Sequence, residues 1–146
     1  MTRIAFNHFG LSVSDMDAAL RFWTQGIGLT QLGRGRVQYP HLDRIIGIED
    51  TDIEWAELAL ESGIIELFCY HSPSADTQSP QINAPGATHL AIEVVDIAAV
   101  HTRLTQLGYE VASASPVRIP FGDWEGWLCA YIREPNGVTI ELLEKP

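Results

Sequence analysis

The chain has few cysteines, few basic residues and no long apolar run, and each shortage excludes a class of protein. Two cysteines in 146 residues are too few for a disulfide framework. Both lie in apolar segments, so Cys69 and Cys129 are expected to be buried free thiols. Nine basic residues against nineteen acidic ones give a net charge of −10. The phosphates of nucleic acid would repel such a chain, so nucleic acid is not an expected partner.

Membrane association is not expected either. The sequence has no apolar run of about 18 residues, which a transmembrane helix requires, and no basic amphipathic helix that would suit a membrane surface. The first residues lead directly into strand-like sequence without a signal-peptide core, so we expect a cytoplasmic location. A composition that is 46% apolar suits a globular protein with a sizeable core.

A pattern that occurs twice organises the rest of the chain. His8 and Asp15 stand in the same relation as His89 and Asp96, with the aspartate seven positions after the histidine. Each histidine lies in an alternating, strand-like stretch, the first of which is predicted from Ile4 to Val13. Each aspartate is a good N-cap for the amphipathic helix that follows it. The two copies therefore start with the same strand and helix.

Further strands are predicted after each helix. Glycine supplies a left-handed helix end in both copies, at Gly28 and Gly108. The predicted strands are 29–35, 54–60 and 64–70 in the first copy and 109–112, 117–121, 127–133 and 138–143 in the second. Residues 36–52 are interpreted as a loop with a short helical turn. The sequence thus predicts an α+β fold in which a βαβββ module occurs twice.

The boundary between the copies is rich in proline and serine. We interpret residues 73–86 as a linker. The first βαβββ module then covers residues 1–72 and the second covers residues 87–146. Because a duplicated unit of this size buries its apolar face against its twin, we expect the two modules to form one compact domain.

Two histidines and two glutamates occupy matching places in this repeat. His8 and His89 lie on the first strands of the modules, and Glu66 and Glu141 lie on the last strands, so each histidine is expected to neighbour a glutamate in one sheet. Both acids are set in apolar sequence, where a carboxylate facing an interior needs a partner. Imidazole and carboxylate ligands suit a divalent Zn, Ni, Co, Mn or Fe ion, and this set leaves positions open for water or substrate.

The same segments resemble the vicinal oxygen chelate superfamily, which includes glyoxalase I, methylmalonyl-CoA epimerase, extradiol dioxygenases and bleomycin resistance proteins. The resemblance covers essentially the whole chain and is most specific in Asn7–Asp15, Thr88–Asp96 and Glu134–Leu142. It implies two paired βαβββ modules that form an open, cup-shaped sheet around one metal ion. By this likeness the metal ligands are His8, Glu66, His89 and Glu141. The likeness also implies a small-molecule substrate and a homodimer.

The resemblance further implies a type of chemistry. Members of this superfamily bind a substrate through two neighbouring oxygens, and the metal stabilises the enolate that forms when a proton leaves the adjacent carbon. Glu141 is then expected to serve both as ligand and as base, as in glyoxalase-like members. Glu49 resembles the second base of the epimerases. The chain is therefore predicted to be a metal-dependent isomerase, epimerase or lyase.

Two other functions fit the same likeness. An extradiol-type dioxygenase would hold Fe(II) through a three-ligand His-His-Glu set, in which Glu66 is surplus. A metal-free, drug-binding protein of the bleomycin-resistance kind would lack the ligands. Glu66 completes a two-His, two-Glu set as in glyoxalase I, whereas many methylmalonyl-CoA epimerases have glutamine there. Few basic residues are placed to bind the carboxylates of glutathione or the phosphates of CoA. A smaller polyol, keto acid or cyclitol-like compound is therefore an alternative substrate.

Overall fold

In the computed structural model, residues 4–75 and 80–146 are described, and they contain two four-stranded mixed sheets. The chain divides into two compact units, Met1–Thr77 and Gln78–Pro146, with one sheet in each. The predicted linker at 73–86 lies partly outside the described residues. The α+β class and the repeated module are confirmed.

The first unit contains four strands and two helices. Its elements are β1 (His8–Ser12), α1 (Met16–Arg21), β2 (Thr30–Val37), α2 (Pro40–Ile46), β3 (Asp52–Leu60) and β4 (Gly63–Ser72). Helix α1 continues directly into π-helical turns at Phe22–Ile27. The strand order is β1-β4-β3-β2, and β1 is parallel to β4 while the other pairs are antiparallel.

The second unit repeats this strand arrangement, but one of its edge strands is only two residues long. Its elements are β5 (His89–Glu93), α3 (Ile97–Gln106), β6 (Val117–Arg118), β7 (Leu128–Arg133) and β8 (Thr139–Glu144). The strand order is β5-β8-β7-β6, again with the first and last strands parallel and the others antiparallel. The two sheets therefore have the same topology.

Matching aspartates begin the main helices, as predicted. The Asp15 carboxylate accepts a hydrogen bond from the Ala18 amide at 2.9 Å, and the Asp96 carboxylate accepts one from the Ala99 amide at 3.0 Å. Each bond satisfies one of the amides that the first helical turn leaves free. Gly28 ends the first helix with a φ of 105°, which a side chain would disfavour. Among the described residues, no helix combines the length and the apolar character that a membrane span requires.

Each sheet buries one face under its helix, and the other face carries the histidine and glutamate. In β4 the alternate residues Ile65 and Leu67 are fully buried, and α1 packs on this strand. In β8 Ile140 and Leu142 take the same role beneath α3. Because side chains alternate along a strand, Glu66 and Glu141 lie on the face away from the core.

Four predicted elements differ from the structure. The first strand begins at His8 and not at Ile4, because its partner β4 starts at Gly63 and offers residues 4–6 nothing to pair with. Residues 109–112 form a single bridge, Val111 to Ile132, and the strand predicted at 117–121 is two residues long. The predicted loop at 36–52 contains the seven-residue helix α2, which starts at a proline.

Glu134 is a buried acid in the turn before β8, and it should make stability depend on pH. It is 1% exposed, and burial raises its pKa, although the amides of Asn136 donate to both carboxylate oxygens and oppose the rise. The folded chain therefore keeps this proton at pH values where the unfolded chain has lost it. The stabilising contribution is complete below the ordinary glutamate pKa of about 4.3 and is lost as the pH rises through the folded pKa.

We expect this dependence to disappear in a Glu134→Gln variant, whose side chain is neutral at every pH. Urea unfolding of both proteins from about pH 4 to about pH 8 should show the wild-type free energy of unfolding falling relative to that of the variant. A constant difference across this range would contradict the raised pKa. Glu61→Gln, at an exposed turn position, is the matched control.

Candidate functional site

His8 and Glu66 form a close pair on the first sheet. Their Nε2 and Oε2 atoms are 3.0 Å apart. In the parallel register of β1 and β4, His8 lies beside Ile64, and Glu66 is two residues further along β4. The side chains are 44% and 25% exposed, so both are reachable from solvent.

His89 and Glu141 repeat this pair on the second sheet. The Nε2–Oε2 distance is 3.3 Å, and His89 lies beside Thr139, again two residues before the glutamate. The prediction that each histidine lies next to a glutamate is thus confirmed in both sheets, at the same register. That these residues bind a metal stays a prediction.

The hydrogen bond to Asn7 determines how His8 presents its ring. Nδ1 of His8 donates to Oδ1 of Asn7 at 2.7 Å. With the proton on Nδ1, the Nε2 atom has a free lone pair, and it faces a carboxylate oxygen that also has only lone pairs. In this tautomer the two atoms, 3.0 Å apart, are arranged to share a cation. Metal-binding histidines usually donate their other ring N–H to a carboxylate, a backbone carbonyl or water, and the side-chain oxygen of Asn7 is a comparable acceptor for His8.

The distances within the pairs also suit two ligands of one ion. Metal bonds of about 2.1 Å place neighbouring ligand atoms about 3.0 Å apart at right angles and about 3.4 Å apart in a tetrahedron. The observed 3.0 and 3.3 Å fall in this range. Across residues 4–75 and 80–146, no group of three or more His, Cys, Asp or Glu side chains is gathered as metal ligands. Each sheet therefore brings one histidine and one glutamate together, and in the described part of the chain no third such ligand is gathered with them.

Glu141 has two neighbours on β7 that keep their protons at neutral pH. The Cys129 thiol donates to Oε1 of Glu141 at 3.4 Å, and burial followed by this hydrogen bond raises its pKa to about 11. Tyr131 lies opposite Glu141 in the antiparallel register, and burial and then the Glu141 charge raise its pKa. Both free thiols were expected to be buried; Cys69 is, whereas Cys129 is half-buried.

A further carboxylate lies opposite Glu66, and it was not predicted from the sequence. Glu57 of β3 is its antiparallel partner and shares its face of the sheet. The turn between β3 and β4 is short, and Leu60 pairs with Gly63. Counting backwards from that turn would have placed Glu57 opposite Glu66.

The predicted second base, Glu49, lies elsewhere in the first unit. It is exposed and follows α2 in the segment that leads to β3. The same segment is tied down by Asp43, whose carboxylate accepts hydrogen bonds from Asp50 and Thr51. The hydrogen bonds from Thr51 lower the pKa of Asp43. The role of Glu49 in proton transfer stays a prediction.

The second unit contains a pocket of about 220 Å³ next to Tyr131. Its walls include Ile82, Glu110 and Thr139. Arg133 closes one side, because its guanidinium donates to the carbonyl of Pro80 and to the hydroxyl of Thr139, both at 3.0 Å. The segment at Pro80 is therefore fastened to the sheet at the edge of the pocket.

Comparison with known proteins agrees with these observations. The family model described as Glyoxalase/Bleomycin resistance protein/Dioxygenase superfamily matches residues 5–142. A 2-epi-5-epi-valiolone epimerase from Actinomyces is 33% identical, over 98% of this chain and 80% of its own length. The crystal structure of a glyoxalase family protein from Bacillus cereus is 26% identical, with a TM-score of 0.84 over 99% of this chain and 95% of its own.

A fold likeness also extends to a protein that binds a ligand. The crystal structure of an antibiotic-binding protein from Streptomyces has a TM-score of 0.61 and covers 100% of this chain and 99% of its own. Its identity of 21% shows a common fold alone. Function therefore depends on the side chains that each sheet carries.

Proposed function

Because the chain belongs to the glyoxalase/bleomycin resistance protein/dioxygenase superfamily, we propose that it is a divalent-metal-dependent epimerase. It removes a proton from a carbon next to a carbonyl group and returns it on the other side. The observation that carries this proposal is the His–Glu pair that recurs at the same register in both sheets. The relative that is an epimerase by name supports the reaction type.

The proposed metal ligands are His8, Glu66, His89 and Glu141. Two neutral imidazoles and two carboxylates compensate the charge of one divalent ion, and they suit Zn, Ni, Co, Mn or Fe. When bound, such an ion supplies positive charge beside the carbonyl oxygen and so favours loss of the neighbouring proton. A homodimer and a lyase reaction are further proposals that rest on the same likeness.

Glu141 is the proposed first base. Its Oε1 atom accepts the hydrogen bond from Cys129, so the rotation of the carboxylate is restrained while it takes the proton. Tyr131 and Cys129 keep their own protons at neutral pH and hence do not compete for the one that leaves the substrate. Glu49 is the proposed second carboxylate, which returns a proton on the opposite side of the carbon.

The proposed substrate is a small, cyclitol-like hydroxy ketone. With one lysine and eight arginines, the chain has little positive charge to hold the phosphates of CoA or the carboxylates of glutathione. The name of the Actinomyces relative identifies 2-epi-5-epi-valiolone as the first compound to test.

Asn7 should control metal affinity without being a ligand. We expect Asn7→Ala to weaken metal binding by roughly 10- to 100-fold, because the His8 ring loses the partner that fixes its tautomer and orientation. Competition with a chelator of known affinity measures the change. The exposed Asn83, changed to alanine, is the control and should bind metal like the wild type.

Elemental analysis of protein purified without chelators tests the proposed function. About one divalent ion per chain in the wild type, lost in His8→Ala, is the expected result. Incubation with 2-epi-5-epi-valiolone in deuterated water should then place deuterium on the reacting carbon, as NMR would show. Bound iron with consumption of oxygen would identify a dioxygenase instead. A protein that takes up no metal, even when each ion is added back, would refute the epimerase and favour a binding protein.

A further inference from the structure

Two glycines and a tryptophan lie together on the face of the first sheet that carries Glu66. In the antiparallel register Gly35 of β2 is opposite Trp55 of β3, and Gly33 is opposite Glu57. Glu57 is in turn opposite Glu66 of β4. Because cross-strand partners share a face, these side chains form a continuous surface from β2 to β4.

The indole of Trp55 lies flat over β2. A Cβ atom built on Gly35 would be 2.9 Å from three atoms of the indole, Cε2, Cζ2 and Nε1. One built on Gly33 would be 3.1 Å from Cζ3 and 3.2 Å from Cη2. Near-equal distances to several ring atoms mean that the ring faces the strand. One face of the indole therefore rests on glycine backbone, and the other face points away from the sheet.

Trp55 lies outside the buried core. The residues that alternate with Trp55 and Glu57 are Ala56 and Leu58, and both are fully buried on the helix side of the sheet. Trp55 is half-buried. Glycine within a strand is destabilising relative to alanine, and here two glycines on one strand make room for one flat ring.

Acidic oxygens stand next to the indole. Oε2 of Glu57 is 4.0 Å from the Cβ position on Gly33, close to the benzene end of the ring. Glu66 follows on the next strand. A purely apolar ligand would remove water from these carboxylates without giving them a partner. A ring that has C–H groups on its faces and hydroxyls at its edge can cover the indole and donate to the carboxylates at once.

We infer that Trp55 is the platform on which a hydroxylated carbon ring of the substrate stacks, and that Glu57 accepts a hydrogen bond from one of its hydroxyls. This inference rests on the proposed function and adds to it the place and the chemical class of substrate binding. Gly33 and Gly35 keep the indole flat. Glu57 lies between this platform and the His8–Glu66 pair, so it aligns the ring with the reacting end of the site.

Binding of myo-inositol, a ring polyol without a carbonyl group, tests the platform separately from catalysis. The probe is titrated into ¹⁵N-labelled protein, and the indole N–H signal of Trp55 is identified by its loss in Trp55→Phe. We expect this signal to shift. Affinity should fall by about tenfold in Trp55→Ala and in Gly35→Ala, whose Cβ pushes the ring aside, and by at least as much in Glu57→Ala. Trp124→Ala, in the second unit, should bind like the wild type.

Turnover of 2-epi-5-epi-valiolone gives the second readout. Trp55→Ala and Gly35→Ala should raise KM by about tenfold and leave kcat within about twofold, because the platform holds the ring equally before and during reaction. Thermal unfolding of each variant is measured beside these constants.

Three results would overturn the inference. One is an unshifted Trp55 signal with inositol, and another is a shift with tetramethylammonium alone, which would make the surface a cation site. The third is unchanged affinity in Trp55→Ala and Gly35→Ala although stability falls, since the indole would then only shield glycine backbone. Inositol binding by a protein that does not epimerise the ketone would refute the proposed reaction and keep the platform.

Discussion

Replacing Glu141 with glutamine is expected to lower kcat by roughly 10²- to 10⁴-fold, the contribution of a well-placed general base. The amide keeps the size of the side chain and an oxygen that can face His89, but it cannot take a proton. The loss should therefore appear in kcat, with a larger deuterium isotope effect for substrate labelled at the reacting carbon, because proton transfer becomes more strongly rate-limiting. Steady-state kinetics on labelled and unlabelled substrate measures both.

Metal content must accompany these kinetics, because a weaker ligand set would also lower kcat. The comparison is therefore made on protein with its metal restored, as shown by elemental analysis. Glu61→Gln is the control for removing one negative charge and should keep full activity. A Glu141→Gln protein that holds its metal and turns over within about tenfold of the wild type would remove Glu141 from the role of base.

Phe22→Ala should cost about 3–5 kcal/mol of folding free energy, the usual penalty for emptying the site of a buried aromatic ring. Phe22 is fully buried, and its ring meets that of Trp23 edge to face at a centroid distance of 5.2 Å. The site lies where α1 passes into its π-helical turns, and this helix covers β4. A loss here should loosen the support of the strand that carries Glu66.

Urea denaturation measures this loss, provided that the free energy of unfolding depends on urea concentration with the same slope in both proteins. Phe121→Ala is the matched control, because Phe121 is 76% exposed and its removal leaves no cavity. A change below about 1 kcal/mol in Phe22→Ala, similar to that in Phe121→Ala, would mean that the core can collapse around the missing ring.

Local patterns were enough to predict the repeat. The spacing of His8 and Asp15, met again at His89 and Asp96, identified both strands and both helix starts, because N-caps and strand alternation depend on neighbouring residues only. Gly28 was identifiable as a helix end for the same reason. The pairing of each histidine with a glutamate followed from the repeat itself.

Features that depend on strand partners were harder to predict. Ile4 and Phe6 alternate like strand residues, yet β4 begins too late to pair with them. Residues 109–112 have a strand-like composition but pair with β7 at a single bridge. Glu57 and Tyr131 come to lie opposite the two glutamates through antiparallel register, which hydropathy alone does not encode.

The equal register of the two His–Glu pairs has a consequence for how such a chain can diverge. If the two modules were identical subunits of a symmetric dimer, every substitution beside one His–Glu pair would also occur beside the other. With both copies in one chain, each changes independently. Glu66 now faces Glu57, an acceptor, while Glu141 faces Tyr131, a donor. Duplication within one chain thus allows the surroundings of the two glutamates to differ, with a carboxylate opposite Glu66 and a phenol opposite Glu141.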